Sequence, residues 1–449
     1  MVYIFGGGFA IGQIYDSAYD PSMLVSGASE DGHPVIYVGM NYRVGFFGFA
    51  SSTELNATDS LNAGLLDQRL ALEWVQQHIS AFGGDPENVT IFGESVGATS
   101  VGFQMTAYGG EISKPLFQKA IMQSGAPTAD IGTTSNSSTV HTSELAGLVN
   151  CTLATSAEEL ACLRSIPLST LLPIVIEYQL SVNPFSGFDA FIPVAPSTFI
   201  PDSTSNLLAS GRFVPNIDIM TGWNENDGSL FASTSLTSDS DVAHSLASEF
   251  PGLSEQSIQN ALALYPASAF PNDLAINVTS QYFRASQMTR DYEFTCPSVL
   301  MVQANARKSG STSNYFFVLN QTVFATMYAE EGASYWAVSH FSDIPYVFNQ
   351  AATHYGKVST ASDLKLSAEM SSSWASFATY GNPSKGRGTL PDWLDAVTGS
   401  DGGNEYGVLV VGGPDDGMRN IGTSETDYEN LATRCAFWNS PDILAQTGL

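Results

Sequence analysis

Asn88-Val89-Thr90-Ile91-Phe92-Gly93-Glu94-Ser95-Val96-Gly97-Ala98-Thr99-Ser100-Val101-Gly102-Phe103-Gln104-Met105 is an apolar, β-branched run, then a G-x-S-x-G turn, then a stretch of small residues. That order predicts a strand, a sharp turn and a helix, the context in which a serine is lifted clear of a sheet on a strained backbone. Gly93 and Gly97 fit because a Cβ on either side of the turn would collide with the neighbouring strand or helix. Ser95 is therefore the first candidate nucleophile. The five-residue pattern is weak in a chain rich in Gly and Ser, and its weight comes from its surroundings.

Outward from the turn, strand signals alternate with helical stretches through the first half of the chain. This is the pattern of an α/β fold, with a mostly parallel central sheet flanked by crossover helices. Residues 2–5 and 34–40 are short β-branched runs bounded by glycines. Between 61 and 82 the apolar residues Leu65, Leu66, Leu70, Trp74, Val75 and Ile79 keep helical spacing, up to Gly83-Gly84. Strand character returns at 120–123, 213–221 and 315–319, and 367–380 reads as a long helix carrying Trp374 and Phe377. Residues 127–210 are Ser/Thr-rich with scattered helices and read as an insertion over the sheet within a single 1–449 domain.

The 449 residues carry 16 Lys+Arg against 44 Asp+Glu, a net charge of −28, which makes nucleic-acid and electrostatic membrane partners improbable. A hydrophobic content of 43% is enough for a sizeable core and excludes a disordered chain. No apolar run approaches a membrane span, and the C-terminus has no hydrophobic tail of the kind that signals a lipid anchor, so no stable membrane anchor is expected. Cys151, Cys162, Cys296 and Cys435 form an even set whose spacing fits no zinc pattern. N-x-S/T sequons begin at Asn56, Asn88, Asn136, Asn150, Asn277 and Asn320. Paired cysteines and sequons in a Lys-poor, acidic chain favour an oxidising, extracellular setting.

A serine nucleophile needs a base to take its proton, an acid to orient that base and donors for the developing oxyanion. In chain order the acid follows the serine and the base follows the acid. The loop Trp223-Asn224-Glu225-Asn226-Asp227-Gly228-Ser229 comes after a strand signal, and both Glu225 and Asp227 are candidates. Of the six histidines, His33, His78 and His141 precede or crowd the nucleophile or its insertion, and His244 lies one short helix past the acid loop. His340 and His354 remain, the first in a loop leading into an apolar segment, the second in a polar, solvated context. Gly6-Gly7-Gly8, after a strand and before Phe9, suit close approach of backbone amides to a substrate oxygen.

Taken together, these motifs resemble the type-B carboxylesterase/lipase family, the cholinesterase-like branch of the α/β-hydrolases, and in particular a fungal secreted member. The resemblance rests on Gly6-Gly7-Gly8-Phe9, Asn41-Tyr42-Arg43-Val44-Gly45, Phe82-Gly83-Gly84-Asp85-Pro86 and the turn at Ser95. It continues through Gln123-Ser124-Gly125-Ala126-Pro127, Asn226-Asp227-Gly228-Ser229, the His340 loop, Gly381-Asn382-Pro383 and Arg434-Cys435-Ala436-Phe437-Trp438. It implies Ser95 as nucleophile, His340 as base and Asp227 as acid, where most members have Glu; Glu225 stays the alternative. It further implies an oxyanion hole from Gly7, Gly8 and the amide of Val96, where the family usually has Ala. Ser124 matches a buried serine that supports the acid. The cysteines map as Cys151–Cys162 and Cys296–Cys435.

The expectation is a secreted serine carboxylic-ester hydrolase acting on a small-molecule or lipid ester through an acyl-enzyme, with no metal or organic cofactor. The rivals are a catalytically inactive adhesion or binding protein on the same fold, a serine peptidase with the same triad, and an inactive truncated form. Members of the family carry a signal peptide, first sheet strands and a disulfide-closed lid before the Gly6-Gly7-Gly8 strand. The expectation is that these strands lie upstream of Met1, leaving 34–40 as an uncovered edge that lowers stability.

Overall fold

The computed structural model describes residues 1–129, 132–183, 190–273, 276–308, 312–397, 406–422 and 428–448. Strands β1 (Val2–Ile4), β2 (Val38–Gly39), β3 (Thr90–Glu94), β4 (Lys119–Gln123), β5 (Asp218–Asn224), β6 (Asn314–Leu319), β7 (Tyr406–Val411) and β8 (Gly417–Ile421) make one sheet. Among the described residues their order is β2-β1-β3-β4-β5-β6-β7-β8, all parallel except the β7–β8 pair. Every residue of β1, β3, β4, β6 and β7 is buried, as expected of parallel strands covered on both faces by crossover helices. This is the α/β-hydrolase architecture expected from the sequence.

Helix α1 (Ala63–His78) continues as a 3-10 turn, Ile79–Phe82, and stops at Gly83, whose φ of 85° closes the end. Helix α2 (Val96–Thr106) leaves the elbow and is buried from Gly97 to Thr106, so its small residues let it run between sheet and outer helices. Helices α3 (Ser280–Thr289) and α4 (Cys296–Lys308) are joined by a π-helical segment, Arg290–Thr295. The long helix α5 (Ala361–Tyr380) is opened by a capping box between Thr360 and Asp363. Residues 127–210 contain the helices Ser137–Leu148, Ser156–Ser165, Leu168–Val182 and Thr204–Ala209; 130–131 and 184–189 of this stretch lie outside the described residues. Both disulfides form as the resemblance implied, Cys151–Cys162 within that stretch and Cys296–Cys435 between α4 and α6 (Leu431–Trp438).

Three element boundaries differ from the sequence reading. The strand expected over 213–221 is Asp218–Asn224. Pro215 offers no amide hydrogen and Asn216 turns at φ 61°, so the chain cannot join the sheet before Asp218. Gly222 does not end the strand; a Cβ there would meet the carbonyl oxygen of Phe317 on β6, so glycine permits close strand approach. The run 34–40 supplies only Val38–Gly39 as strand, at the sheet edge. Val35 to Val38 are partly buried, the 2.7 Å bond from Met1 N to Ile36 O lies on the β1 side, and among the described residues no strand pairs with the outer side. Helix α5 begins six residues before the expected 367 because its N-terminal signal is polar.

Candidate active site

Strand β3 ends at Glu94 and helix α2 starts at Val96, so the single residue Ser95 must reverse the chain. It does so at φ 59°, ψ −135°, a conformation that costs a non-glycine residue about 1–3 kcal/mol and persists only where the surroundings enforce it. A Cβ on Gly93 would stand 2.5 Å from the carbonyl carbon of Gly97 and 2.6 Å from Ile4 O, so strand, turn and helix touch through backbone alone. Ser95 N donates to Gln123 O at 2.9 Å, which ties the turn to β4.

The glycine loop follows β1 directly beside this turn. A Cβ on Gly6 would lie 2.8 Å from both Glu94 O and Ser95 Cβ, and Gly7 and Gly8 have φ values of 104° and 60°. Tyr42 steadies the end of β1 by donating to Phe5 O at 2.7 Å while its ring stacks on Phe5 at 4.3 Å. Gly45 N donates to Phe9 O at 2.6 Å, so the Asn41 to Gly45 motif is the buttress of the glycine loop. Val96 occupies the first turn of α2, where backbone N–H groups have no acceptor within the helix.

Asp227 and His340 come from the loops that follow β5 and β6, neighbouring parallel strands. Asp227 Oδ1 accepts from His340 Nδ1 at 2.7 Å, and Asp227 Oδ2 accepts from Asn224 N at 2.8 Å; the aspartate is fully buried. Glu225 points elsewhere, accepting from Tyr428 OH at 2.5 Å and lying 3.8 Å from the Arg290 guanidinium. The two loops are stitched together by Asn226 N to Val338 O at 3.0 Å and Asn224 Nδ2 to Ser339 O at 3.0 Å. Behind them Trp374 Nε1 donates to Gln123 Oε1 at 3.0 Å, and Gln123 Nε2 donates to Asp343 Oδ2 at 2.5 Å. His354, as expected, is exposed.

Ser124 is a correction. Its hydroxyl makes no hydrogen bond and so does not support Asp227; the backbone amide of Asn224 does that. The sequence also offered no role for Glu94, which proves to face the other nitrogen of the imidazole. Glu94 Oε1 lies 3.2 Å from His340 Nε2, although the two are not aligned as a hydrogen bond and neither atom makes one elsewhere. Nε2 therefore faces a carboxyl rather than the Ser95 hydroxyl in this arrangement. Catalytic hydrogen bonds of this kind are often long without substrate. Burial pushes the Glu94 carboxyl up to about 8. Burial alone would lower His340, but the Glu94 carboxylate, followed by the hydrogen bond that the imidazole donates to Asp227, carries it up to about 10. His340 keeps its proton on account of Glu94, whereas Glu94 keeps its own through burial and against the pull of His340, so the two protonation states are linked.

Glu94, Ser95 and His340 line one cavity of about 460 Å³ that also exposes Gly7, Gly8, Val96, Ser124 and the aromatic rings of Phe231 and Phe294. Phe294 comes from the π-helical segment and stacks on His340 with centroids 4.8 Å apart; Phe231 meets the same ring edge-on at 5.3 Å. A larger groove of about 530 Å³ lies between α1 and the helices of the 127–210 stretch, lined by neither histidine nor cysteine, and it is not where the chemistry converges. The arrangement at Ser95 has the parts for acyl transfer: a hydroxyl on a strained turn, an imidazole with its Nδ1 held by an acid, and a glycine loop beside a helix N-terminus. Among the described residues no cluster of three or more His, Cys, Asp or Glu could hold a metal ion.

A family model described as the carboxylesterase family matches residues 1–422. A secreted lipase of Arthroderma benhamiae is 38% identical over 456 residues, covering 99% of this chain and 78% of that protein. An inactive carboxylesterase-like protein of Byssochlamys spectabilis is 35% identical over 455 residues, covering 98% of this chain and 76% of that protein. Lipase 2 of Geotrichum candidum is 36% identical over 317 residues, covering 68% of this chain and 56% of the lipase.

Proposed function

The chain belongs to the carboxylesterase family, and from that premise we propose that it hydrolyses neutral carboxylic or lipid esters outside the cell through a covalent acyl-enzyme. Ser95 Oγ attacks the ester carbonyl carbon while His340 Nε2 takes the hydroxyl proton. The imidazolium, held through Nδ1 by Asp227, then gives that proton to the leaving alcohol. Water, deprotonated by the same His340, releases the acid from Ser95. The amides of Gly7, Gly8 and Val96 receive the carbonyl oxygen as it becomes an oxyanion.

The observation that carries this reading is the 2.7 Å bond that holds Asp227 to His340, which borders the same cavity as Ser95 on its strained turn. The extracellular setting draws on the secreted lipase among the relatives, together with two disulfides. A second reading, a non-catalytic binding protein, draws on the inactive relative and on the orientation of Nε2 toward Glu94. Turnover of p-nitrophenyl acetate separates the two. The wild-type chain is expected to hydrolyse it, and Ser95→Ala to lose on the order of a thousandfold or more in kcat. A wild-type chain without turnover supports the second reading, and near-wild-type turnover in Ser95→Ala removes Ser95 as nucleophile.

A further inference from the structure

The apolar wall of the site cavity is made of rings. Phe9, Tyr19, Phe231, Phe250, Phe294 and Phe341 all border it, whereas its larger aliphatic side chains are Val96 and Ile192. A site built for a long acyl chain needs a continuous aliphatic wall; flat rings instead present faces and edges that suit other flat rings. Most of these aromatics already have partners behind the wall. Phe9 packs on Phe49 at 4.9 Å, and Phe250 on Tyr292 at 5.1 Å; both Phe9 and Phe250 are almost fully buried. Phe231 differs. It packs on Phe294 at 5.8 Å and on the His340 ring at 5.3 Å, yet it is 43% exposed while bordering the cavity.

Resting on the ester-hydrolase reading above, we propose that this site selects esters whose alcohol half carries a flat aromatic ring without negative charge, seated against Phe231. The half of the substrate follows from the path of the proton. His340 Nε2 delivers it to the leaving oxygen, so the alcohol lies along the imidazole, and Phe231 is the ring beside it with surface to spare. The acyl half turns toward the glycine loop and Val96. The absence of negative charge follows from the lining: among the described residues Glu94, Glu249 and Glu293 border the cavity, and no Lys or Arg does. A carboxylate on the ring would meet like charge in a partly dry site.

The test compares 2-phenylethyl acetate with 2-cyclohexylethyl acetate. The acyl half is the same and the ring is two carbons from the oxygen, so the leaving alcohols are nearly equal in acidity. The cyclohexyl ring is the more hydrophobic, so burial alone would favour it. Ring–ring packing is expected to reverse that, with kcat/KM about 2–10-fold higher for the phenyl ester, the factor that an aromatic pair supplies. In Phe231→Leu the ratio falls to one or below, and in Phe231→Tyr it returns; a purely structural role would lower both esters together and leave the ratio alone. A wild-type ratio at or below one overturns the proposal, as does a preference that survives Phe231→Leu. If neither ester is turned over and Ser95→Ala behaves like wild type, the ester-hydrolase reading falls and takes the proposal with it.

Discussion

Replacing Glu94 by Gln keeps the shape of the side chain that faces His340 Nε2 and removes its charge. The base form of His340 is the unprotonated one. A carboxylate 3.2 Å from Nε2 stabilises the protonated form instead, so activity should rise with pH and its acidic limb should lie above the ordinary histidine value of 6.5. Two unit charges at this distance attract by roughly 5 kcal/mol at an effective dielectric of about 20, equivalent to about 4 pH units. Glu94 is itself raised to about 8, so near neutrality it is only partly ionised and exerts part of that pull. Glu94→Gln should therefore move the limb of kcat/KM toward acid by about 1–2 pH units, with Asp227 still holding Nδ1. The assay is kcat/KM for p-nitrophenyl acetate from about pH 5 to about pH 10, corrected for spontaneous hydrolysis, with a thermal melt to establish that the variant is folded. A limb that stays in place or moves to higher pH in a folded variant refutes the argument that Glu94 governs the protonation of His340.

Three further outcomes follow from the geometry. Asp227→Asn should lower kcat by on the order of a thousandfold or more, and Glu225→Gln by far less, because only Asp227 bonds the imidazole; a larger loss in Glu225→Gln reverses the assignment of the acid. Gly97→Ala should abolish soluble, folded protein or lower Tm sharply, since its Cβ would meet the carbonyl oxygen of Ile4; a normal melt would show that the turn can open. Replacing Cys296 and Cys435 by Ser removes a bridge spanning 139 residues, worth about 4–5 kcal/mol on the loop-entropy model, and the melt should fall by several degrees more than for the pair Cys151 and Cys162, which spans 11.

The turn at Ser95 was legible because every constraint on it is local: the strand, the two glycines and the small residues of α2 all lie within a single stretch of sequence. The sheet was legible for the same reason wherever a strand is an uninterrupted apolar run. It was misread where a glycine or a proline changed meaning with its neighbours, as at Gly222, which lets two strands approach, and at Pro215, which delays strand entry. Strands β7 and β8 were missed, although 406–411 is as apolar as 315–319. Helix α5 was read six residues short because its start is marked by a polar capping box, Thr360 with Asp363, and not by hydrophobic periodicity. Glu94 was invisible as a partner because the side chain it faces comes from the far half of the chain. Ser124 failed in the opposite way: its motif matched, but a motif does not carry the hydrogen bond.

The one-carbon-shorter acid is where these threads meet. The family resemblance places Glu where this chain has Asp227, so the carboxylate must be brought closer to the imidazole by backbone rather than by side chain. Strand β5 runs on through Gly222 to Asn224, three residues before the acid, and the amide of Asn224 fixes one carboxylate oxygen. On the far side of the loop Arg290, almost fully buried, donates to the backbone carbonyl of Glu225 at 3.1 Å. Arg290 is held in turn by Asp291 at 3.0 Å and Glu429 at 2.5 Å, and Arg434 closes the cluster on Asp291 at 3.1 Å. That cluster begins the same π-helical segment that delivers Phe294 to the face of His340. One irregular stretch of helix thus presses on the acid loop with a guanidinium and on the base with a ring. That guanidinium is expected to act as a clamp, standing in for the reach that a one-carbon-shorter acid lacks. Breaking it with Arg290→Met should therefore lower kcat while leaving Ser95 and its turn untouched. Added Asp227→Glu should recover part of the loss if the clamp acts by distance, and none if Arg290 serves only the fold.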